Sequence, residues 1–323
     1  MKIAVVGCGV MGAATARALS SRGHKVTVYE QFETGHTRGS SHGATRIYRF
    51  SYPDPRYVAM MSEALVLWHE LETESRATLL TKTGGLDCGR SLEDHARSLE
   101  EHRVPFEVLP PAEAHRRWPS LNLAGDSLYQ ADGGYVRADL AWKSFLDSAL
   151  STGAELERQK VEDLHSLEHD RVVVTAGSWA RELLATVGID LPTRATRETV
   201  AFFRMTESLP TLVDWGDPSV YALPDPTYGL KVGEHIAGPT TDPDKDGDVN
   251  GASVERLRDW VAERYPGVDP EPAHAETCLY TNTADEHFIL ERNERFVIGS
   301  ACSGHGFKFA PLIGNRLADL AEA

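Results

Sequence analysis

The sequence is poor in cysteine and in long apolar segments. Only four cysteines occur in 323 residues, and no two of them form a C-x-x-C pair, so neither a disulfide framework nor a zinc site is expected. We predict no metal site. No run of about 18 apolar residues is present, so we expect neither a membrane span nor a signal peptide. The expected location is the cytoplasm.

Positive charge is also in deficit. The chain has 48 acidic side chains against 33 Lys and Arg, which gives a formal net charge of −15. Such a surface repels a phosphate backbone or an anionic membrane, so neither nucleic acid nor membrane is expected as a partner. The length allows two domains of about 100–200 residues each, and a hydrophobic fraction of 41% is sufficient for a packed core.

The N-terminal thirty residues follow the order strand, glycine turn, helix, strand. An apolar run at 3–6 leads into Gly7, Gly9 and Gly12, and a second strand-like run ends at Glu30. In a dinucleotide-binding unit the first glycine permits a tight turn, the second lets the backbone approach a pyrophosphate, and the third lets the helix pack against the sheet. A terminal acid accepts hydrogen bonds from ribose hydroxyls. The unit predicts a dinucleotide cofactor and leaves FAD and NAD open.

The rest of the pattern predicts an α/β protein with a Rossmann-like cofactor-binding domain and a second, α+β substrate domain built on a mixed sheet. Apolar periodicity predicts helices over residues 56–74, 92–101, 140–152, 252–264 and 310–323. Runs of strand-forming residues predict strands over 198–204, 228–232 and 295–299, and within 171–179 a buried strand that leads into a glycine turn. We expect the cofactor-binding domain to comprise residues 1–80, 140–190 and 284–323, and the substrate domain residues 81–139 and 191–283.

Two glycine-rich segments carry basic residues. In residues 39–49, Arg46 and Arg49 would present two guanidinium groups on one side if they lie on one helical turn, which suits a carboxylate or an electron-rich ring. In residues 303–309, glycines let a flat ligand approach the backbone, and Lys308 adds a positive charge. Solvated cations at helix starts are the structural alternative in both segments.

Two further residues admit both a structural and a chemical interpretation. Lys231 lies on a predicted strand, where it would stabilise anionic reduced flavin and developing superoxide, or would protect an exposed sheet edge from aggregation. Cys278 has no evident disulfide partner, and a free cysteine is commonly a small buried hydrophobe. Both alternatives stay open on the residues alone.

Taken together, the N-terminal fingerprint and the segments 39–49, 229–235, 277–280 and 303–308 resemble the monomeric sarcosine oxidase family, flavoenzymes of the D-amino-acid-oxidase-like superfamily. The five motifs stand in the family's order over nearly the whole chain. The resemblance implies a two-domain fold with FAD bound in the N-terminal unit and attached through a thioether to Cys278. It also implies a monomer whose partners are a small amino acid substrate and O2.

The resemblance implies roles for individual residues. Arg49 and Lys308 bind the substrate carboxylate, and Gly304 lies beside the substrate. The residues expected to act in catalysis are Lys231, which activates oxygen, Arg46, His235 and Tyr221, the last of which also contacts substrate. The residues expected to contact FAD are Gly7, Gly9, Gly12, Glu30, Ser41, Thr45, Arg46, Val161, Gly177, Cys278, Gly304, His305, Gly306 and Lys308.

The implied reaction is C–N oxidation of a secondary amino acid, such as sarcosine or another N-methyl or cyclic amino acid, to an imine, with O2 reduced to H2O2. A flavin dehydrogenase with another electron acceptor would share the FAD framework, and Lys231 is the feature that favours oxygen. An NAD-dependent dehydrogenase or a nucleotide-binding regulatory protein is the alternative from a different class.

Two features bear on how far the family pattern extends to this chain. Between Arg158 and Arg171 the chain is shorter than its relatives, which carry a longer β-meander. The expected contacts of the FAD adenine around Val161 fall in this shortened segment, so the family pattern does not fix them. Trp215 and Tyr221 are candidates for a pocket lining that accepts larger side chains.

Overall fold

The computed structural model describes residues 1–323, which form seventeen strands and eight α-helices. The strands are β1 (Lys2–Val6), β2 (Lys25–Glu30), β3 (Thr45–Tyr48), β4 (Leu80–Lys82), β5 (Gly85–Gly89), β6 (Glu107–Leu109), β7 (Ser127–Gln130), β8 (Gly134–Arg137), β9 (Glu155–Arg158), β10 (Arg171–Val174), β11 (Arg194–Arg204), β12 (Thr211–Trp215), β13 (Val220–Asp225), β14 (Gly229–Glu234), β15 (His274–Asn282), β16 (Ile289–Asn293) and β17 (Phe296–Ser300). The helices are α1 (Val10–Ser21), α2 (Pro55–Ser75), α3 (Leu92–Glu101), α4 (Pro111–Arg117), α5 (Ala138–Ser151), α6 (Ala180–Ala185), α7 (Gly251–Arg264) and α8 (Ala310–Glu322).

The first sheet has six strands in the order β16-β17-β10-β1-β2-β9. All neighbours pair in parallel except β16, which runs antiparallel to β17. Apart from their first residues, β1 and β10 consist of buried Ile, Ala and Val. That composition suits parallel strands that are covered on both faces.

The turn between β1 and α1 is closely packed. A Cβ on Gly12 would lie 1.9 Å from the carbonyl oxygen of Gly7, so only glycine lets α1 begin directly where β1 ends. Gly7 has a φ of +99°, and a Cβ there would lie 2.8 Å from the carbonyl oxygen of Thr175. The chain therefore requires glycine at both positions for this strand-to-helix turn.

The second sheet has eight strands in the order β15-β11-β14-β13-β12-β5-β7-β6. β12 and β5 pair in parallel, and every other pair is antiparallel, so the predicted mixed sheet is confirmed. On one side of this sheet Leu257 and Val261 of α7 join Phe203 and Leu230 in a buried cluster.

A three-stranded sheet, β3-β8-β4, connects the two parts of the chain. The six-stranded sheet is built from residues assigned to the cofactor-binding domain, and the eight-stranded sheet from residues assigned to the substrate domain. The small sheet combines strands from both assignments, so the exact division into domains stays a prediction.

The elements predicted from periodicity agree with the structure. The five predicted helices correspond to α2, α3, α5, α7 and α8, with ends that differ by no more than two residues. The predicted strands correspond to β10, β11, β14 and β17. None of the helices combines the length and the apolar character that crossing a membrane requires.

Candidate active site

Two adjoining cavities lie between the sheets. The larger has a volume of about 380 Å³ and the smaller about 290 Å³. Ser40, Thr175 and Gly177 line both cavities, and the last two follow directly on the carboxyl end of β10. Ligands of open α/β sheets bind at that end of the strands. The two cavities together offer one elongated site.

The smaller cavity is lined by Gly7, Gly9, Glu30, Val161 and Gly177. The buried Glu30 carboxylate accepts hydrogen bonds from the backbone N–H groups of Cys8 at 2.9 Å and Phe32 at 3.0 Å. These two bonds fix the carboxylate at the end of β2.

The N-terminus of α1 points into the same region. Gly9 is its N-cap and makes no side-chain cap, and the hydroxyl of Ser41 accepts a hydrogen bond from the N–H of Val10 at 2.9 Å. A Cβ on Gly9 would lie 3.1 Å from that hydroxyl. Unpaired N–H groups at a helix N-terminus attract an anion such as a phosphate. Gly12 lines neither cavity, and its place is in the packing of α1.

The larger cavity brings together residues that are far apart in the sequence. They come from β3, β13, β14, β15 and the turn that follows β17. The predicted site residues that line it are Ser41, Thr45, Arg46, Arg49, Gly177, Tyr221, Lys231, His235, Cys278, Gly304, His305, Gly306 and Lys308. Trp215 lines it as well.

Arg46 is held by backbone oxygens. Its guanidinium donates to the carbonyl oxygens of Ser40 and Thr45 at 2.9 Å and of His42 at 2.5 Å. Its Cζ lies 5.8 Å from the centroid of the Phe307 ring. Three carbonyl acceptors fix the direction of the side chain and leave its charge without a carboxylate partner.

Lys231 is 5% exposed and lies on β14, which is flanked by β11 and β13. The interpretation of Lys231 as an edge-strand residue is therefore wrong. Burial, together with the nearby charge of Arg46, lowers the pKa of Lys231 to about 8. Burial also raises the pKa of the Cys278 thiol to about 11, although Arg46 and Lys231 act in the opposite direction.

Arg49 lies between two aromatic rings. Its Cζ is 4.4 Å from the ring centroid of Tyr52 and 5.0 Å from that of Trp215. Its Nη1 donates to the carbonyl oxygen of Ser51 and lies 3.4 Å from Oδ1 of Asp87. The planar guanidinium stacks on aromatic faces in this way while its edge remains available for a carboxylate.

Lys308 lies beside Arg49 in a single turn of 3₁₀-helix, Phe307–Phe309. Its Nζ donates to the Tyr52 hydroxyl at 2.9 Å and to the carbonyl oxygen of His305 at 2.7 Å. Burial, and then the charge of Arg49, hold the pKa of Lys308 well below its usual value. Tyr52 thus contacts both cations.

The condition that Arg46 and Arg49 lie on one helical turn is not met. Thr45–Tyr48 is a strand, β3, in which Arg46 pairs with Val136 of β8. Side chains three residues apart on extended backbone point to opposite sides. The two arginines line the same cavity but bind different groups, and the pairing with β8 is what decides the local conformation.

Neutral aromatic and imidazole groups complete the wall. Burial, followed by the charge of Lys308, holds the pKa of His305 well below its usual value. His305 Nε2 lies 3.0 Å from the carbonyl oxygen of Glu286, and because a carbonyl oxygen only accepts, the ring proton is on Nε2. His305 Nδ1 therefore accepts a hydrogen bond from the Tyr52 hydroxyl, from which it lies 3.3 Å. Lys308, Tyr52 and His305 therefore form one hydrogen-bonded chain.

The remaining predicted pocket residues make fewer contacts. His235 Nε2 lies 3.1 Å from the carboxylate of Glu286, and this contact holds the pKa of Glu286 below its usual value. The hydroxyls of Tyr221 and Tyr280 are 3.5 Å apart, and burial raises the pKa of both phenols. Both tyrosines are therefore neutral.

A family model described as FAD dependent oxidoreductase matches residues 2–320 of this sequence. The chain belongs to the FAD-dependent oxidoreductase family. It is 30% identical to monomeric sarcosine oxidase from Bacillus sp. (strain B-0618), over 99% of this chain and 91% of that protein. It is 31% identical to peroxisomal sarcosine oxidase from Homo sapiens, over 98% of this chain and 91% of that protein. The solved structure of NikD, an unusual amino acid oxidase essential for nikkomycin biosynthesis, superimposes with a TM-score of 0.88 at 25% identity, covering 99% of this chain and 93% of NikD.

Family membership decides between the two cofactors that the glycine fingerprint left open, in favour of FAD. The residues present fit that cofactor. The glycine turn, the N–H groups at the start of α1 and the fixed carboxylate of Glu30 match a dinucleotide in the smaller cavity. The larger cavity adds room for a flat ring among cations, which suits the flavin end.

Sequence reasoning missed several residues of this site. Tyr52, Tyr280 and Cys302 line the larger cavity, and Asp87 lies behind it against Arg49 and Trp215. Asp87 did leave a signal, since it is a charged residue between Leu86 and Cys88 in an otherwise apolar strand. A lone carboxylate in such a strand indicates a buried partner.

Proposed function

We propose that this FAD-dependent oxidoreductase is an oxidase of secondary amino acids, which converts the C–N bond of its substrate to an imine and passes the electrons to O2, giving H2O2. The observation that carries the proposal is the juxtaposition of Arg49 and Lys308 in the cavity that also contains Lys231. The sarcosine oxidases of Bacillus and Homo sapiens support the choice of an N-methyl amino acid as substrate.

The N-terminal unit would hold FAD. Gly7, Gly9 and the start of α1 would bind the pyrophosphate, Glu30 the ribose, and Val161 would lie beside the adenosine. When bound, FAD would supply the two-electron chemistry for oxidising the C–N bond to an imine and for reducing O2. The chain's own residues bind and orient the substrate.

Cys278 is proposed as the thiol that carries FAD through a thioether. The thioether would replace the thiol proton and one hydrogen of the flavin methyl group, a two-electron oxidation for which O2, the proposed electron acceptor, would be the oxidant. The burial of Cys278 favours its neutral thiol, whereas Arg46 and Lys231 favour the thiolate that forms the bond.

Arg49 and Lys308 would hold the substrate carboxylate. The guanidinium edge of Arg49 accepts a carboxylate in a fixed plane, and the ammonium of Lys308 adds a second charge-assisted hydrogen bond. Anchoring the carboxylate keeps the neighbouring C–N bond in one orientation. The same positive charges disfavour a protonated amine, so the substrate would bind as its neutral amine, with the ammonium proton released to the solvent and no dedicated base required.

Lys231 is proposed to favour O2 as the electron acceptor. Neither Lys231 nor Arg46 has a carboxylate oxygen within the 4.0 Å that defines an ion pair, so their charge is available to a developing oxygen anion. Tyr221 and His235 would contact the substrate from the same cavity. We propose that the protein acts as a monomer.

The test is a peroxide assay on the purified protein with a panel of sarcosine, N-methyl-L-tryptophan and proline. We expect a yellow protein that forms peroxide with at least one of the three and not with a secondary amine that lacks a carboxylate. A colourless protein would contradict the proposal. Reduction of an artificial dye without peroxide formation would instead identify a dehydrogenase.

A further inference from the structure

The four lysine and arginine side chains that line the larger cavity differ in their counter-charges. Of Arg46, Arg49, Lys231 and Lys308, only Arg49 has a carboxylate oxygen within ion-pair distance, and that oxygen belongs to Asp87 at 3.4 Å. Asp87 is 1% exposed, lies on β5 and is not among the residues that line the cavity. Its carboxylate therefore influences the site only through the residues that it contacts in the cavity wall.

Asp87 binds two groups that face the cavity. Its Oδ1 accepts a hydrogen bond from Nε1 of Trp215 at 2.9 Å and is the oxygen that faces Arg49. Arg49 in turn stacks on the Trp215 ring at 5.0 Å. One carboxylate oxygen thus fixes a guanidinium and the indole against which it packs. A buried, oriented interaction of this kind restricts both side chains to one arrangement.

We propose that Asp87 is a positioning residue for the carboxylate-binding pair, which orients Arg49 and places a fixed negative charge behind Arg49 and Lys308. The proposal rests on the proposed function, in which Arg49 and Lys308 hold the substrate carboxylate. Two cations buried side by side repel each other, and a fixed anion behind them allows both to stay charged while the site is open.

The electrostatics of Lys308 agree with this geometry. Burial and the charge of Arg49 lower the pKa of Lys308, whereas the charge of Asp87 raises it. The other titratable groups around Lys308 and along its hydrogen-bonded chain are Tyr52, Tyr57, His235, Glu286 and His305. The pKa of Tyr52 is raised and that of His305 lowered, both chiefly by burial, so neither carries charge near neutral pH.

Behind Asp87 lies one more polar group. His95 is buried, its ring centroid lies 5.1 Å from that of Trp215, and its Nδ1 is bonded to the carbonyl oxygen of Ser91 at 2.8 Å. Burial lowers the pKa of His95, while the charge of Asp87 raises it. Because His95 is held mainly in its neutral form, it does not cancel the charge of Asp87.

The test is Asp87→Asn, in which the amide oxygen can still accept from Trp215 and face Arg49, so that the orientation of Arg49 is kept and only the charge is removed. Acetate is the probe, and its dissociation constant from the FAD-loaded protein is measured by calorimetry at about pH 6.5 and about pH 9. Without Asp87 the pKa of Lys308 falls, so Lys308 loses its proton at lower pH and acetate binding weakens mainly at the alkaline end. The measured ratio is the dissociation constant at about pH 9 divided by that at about pH 6.5. We expect this ratio to rise about tenfold in Asp87→Asn, the effect of roughly one pKa unit.

Three variants isolate the effect. In a Lys308→Arg background the guanidinium does not titrate, so adding Asp87→Asn should leave the ratio unchanged, even though Lys231 still titrates in the same cavity. Asp214→Asn is the matched control, because Asp214 is buried and pairs with Arg264 at 3.0 Å outside the cavity. It should leave the ratio unchanged. Asp87→Glu keeps the charge and should retain the ratio within about threefold.

The outcomes separate a positioning role from a structural one. Equal weakening of acetate binding at both pH values in Asp87→Asn would overturn the proposal, as would a rise in the ratio that persists in the Lys308→Arg background. If Asp87→Asn does not fold, a large rise in the ratio for Asp87→Glu overturns it instead. Acetate binding is measured without turnover, so a protein that oxidises none of the panel substrates fails the proposed function and still tests Asp87.

Discussion

Two pairs of cations line the same cavity and are surrounded differently. Arg46 donates to three carbonyl oxygens, Lys231 Nζ lies 5.4 Å from the centroid of the Phe202 ring, and neither cation forms an ion pair. Arg49 and Lys308 share Tyr52, and Asp87 lies behind them. Each pair consists of one arginine and one lysine, so the difference lies wholly in the neighbouring residues.

The difference separates two tasks. Burial, and then the charge of Arg46, lower the pKa of Lys231. In a pair without a counter-ion, a negative charge that forms beside the two cations relieves their repulsion. A pair with a fixed anion is already organised and suits a carboxylate that arrives with its charge. We therefore propose that the oxygen reaction takes place on the Arg46–Lys231 side and substrate binding on the Arg49–Lys308 side.

The largest expected effect tests which cysteine, on the Arg46–Lys231 side of the cavity, carries the flavin. Cys278→Ser should release all of its flavin when the protein is denatured in acid, because the thioether can no longer form. Cys302 lines the same cavity and provides the matched control. Cys302→Ser should keep its flavin with the precipitated chain. Flavin that remains attached in Cys278→Ser would assign the link to another residue.

The next prediction compares the replacement of Lys231 with that of Lys308 in the two half-reactions. Lys231→Met should slow the reaction of the reduced enzyme with O2 by about 10²–10³-fold, the usual result of removing a group that stabilises developing charge. Its anaerobic reduction by substrate should change by less than about threefold. Stopped-flow absorbance of the flavin measures both half-reactions.

Lys308→Met should show the reverse pattern. Losing one charge-assisted hydrogen bond to the carboxylate should raise KM by about 10–100-fold, while dithionite-reduced enzyme reacts with O2 at the normal rate. If both variants impair both half-reactions equally, the division of the cavity into two sides is wrong.

The sequence predicted the framework of this site better than its contacts. Helices such as α2 and α7 follow from apolar periodicity, which is a local property, and the glycine fingerprint identified the turn into α1. A shared helical turn for Arg46 and Arg49 was considered because the segment was interpreted by itself. Its conformation depends on pairing with β8, about ninety residues away, and no local pattern contains that information.

Asp87 illustrates the same limit for function. Its strand looks apolar apart from one charge, and its partners Arg49 and Trp215 come from distant parts of the chain. The resemblance to sarcosine oxidases supplied roles for residues in the shared motifs, and Asp87 lies outside all of them. Such a residue becomes visible only when the strands are assembled.

The smallest expected effect uses pH to remove the charge of Lys231 without a mutation. Because the pKa of Lys231 is about 8, its charge is present below that pH and is lost above it. The rate at which reduced enzyme reacts with O2 should therefore fall by up to about tenfold between roughly pH 7 and pH 9. Cys278 does not contribute once its sulfur is in a thioether. Lys231→Arg should make the rate independent of pH over this range, since a guanidinium keeps its proton. A fall of the same size in Lys231→Arg would show that another group titrates, and the oxygen reaction would then have to be reassigned from the Arg46–Lys231 side.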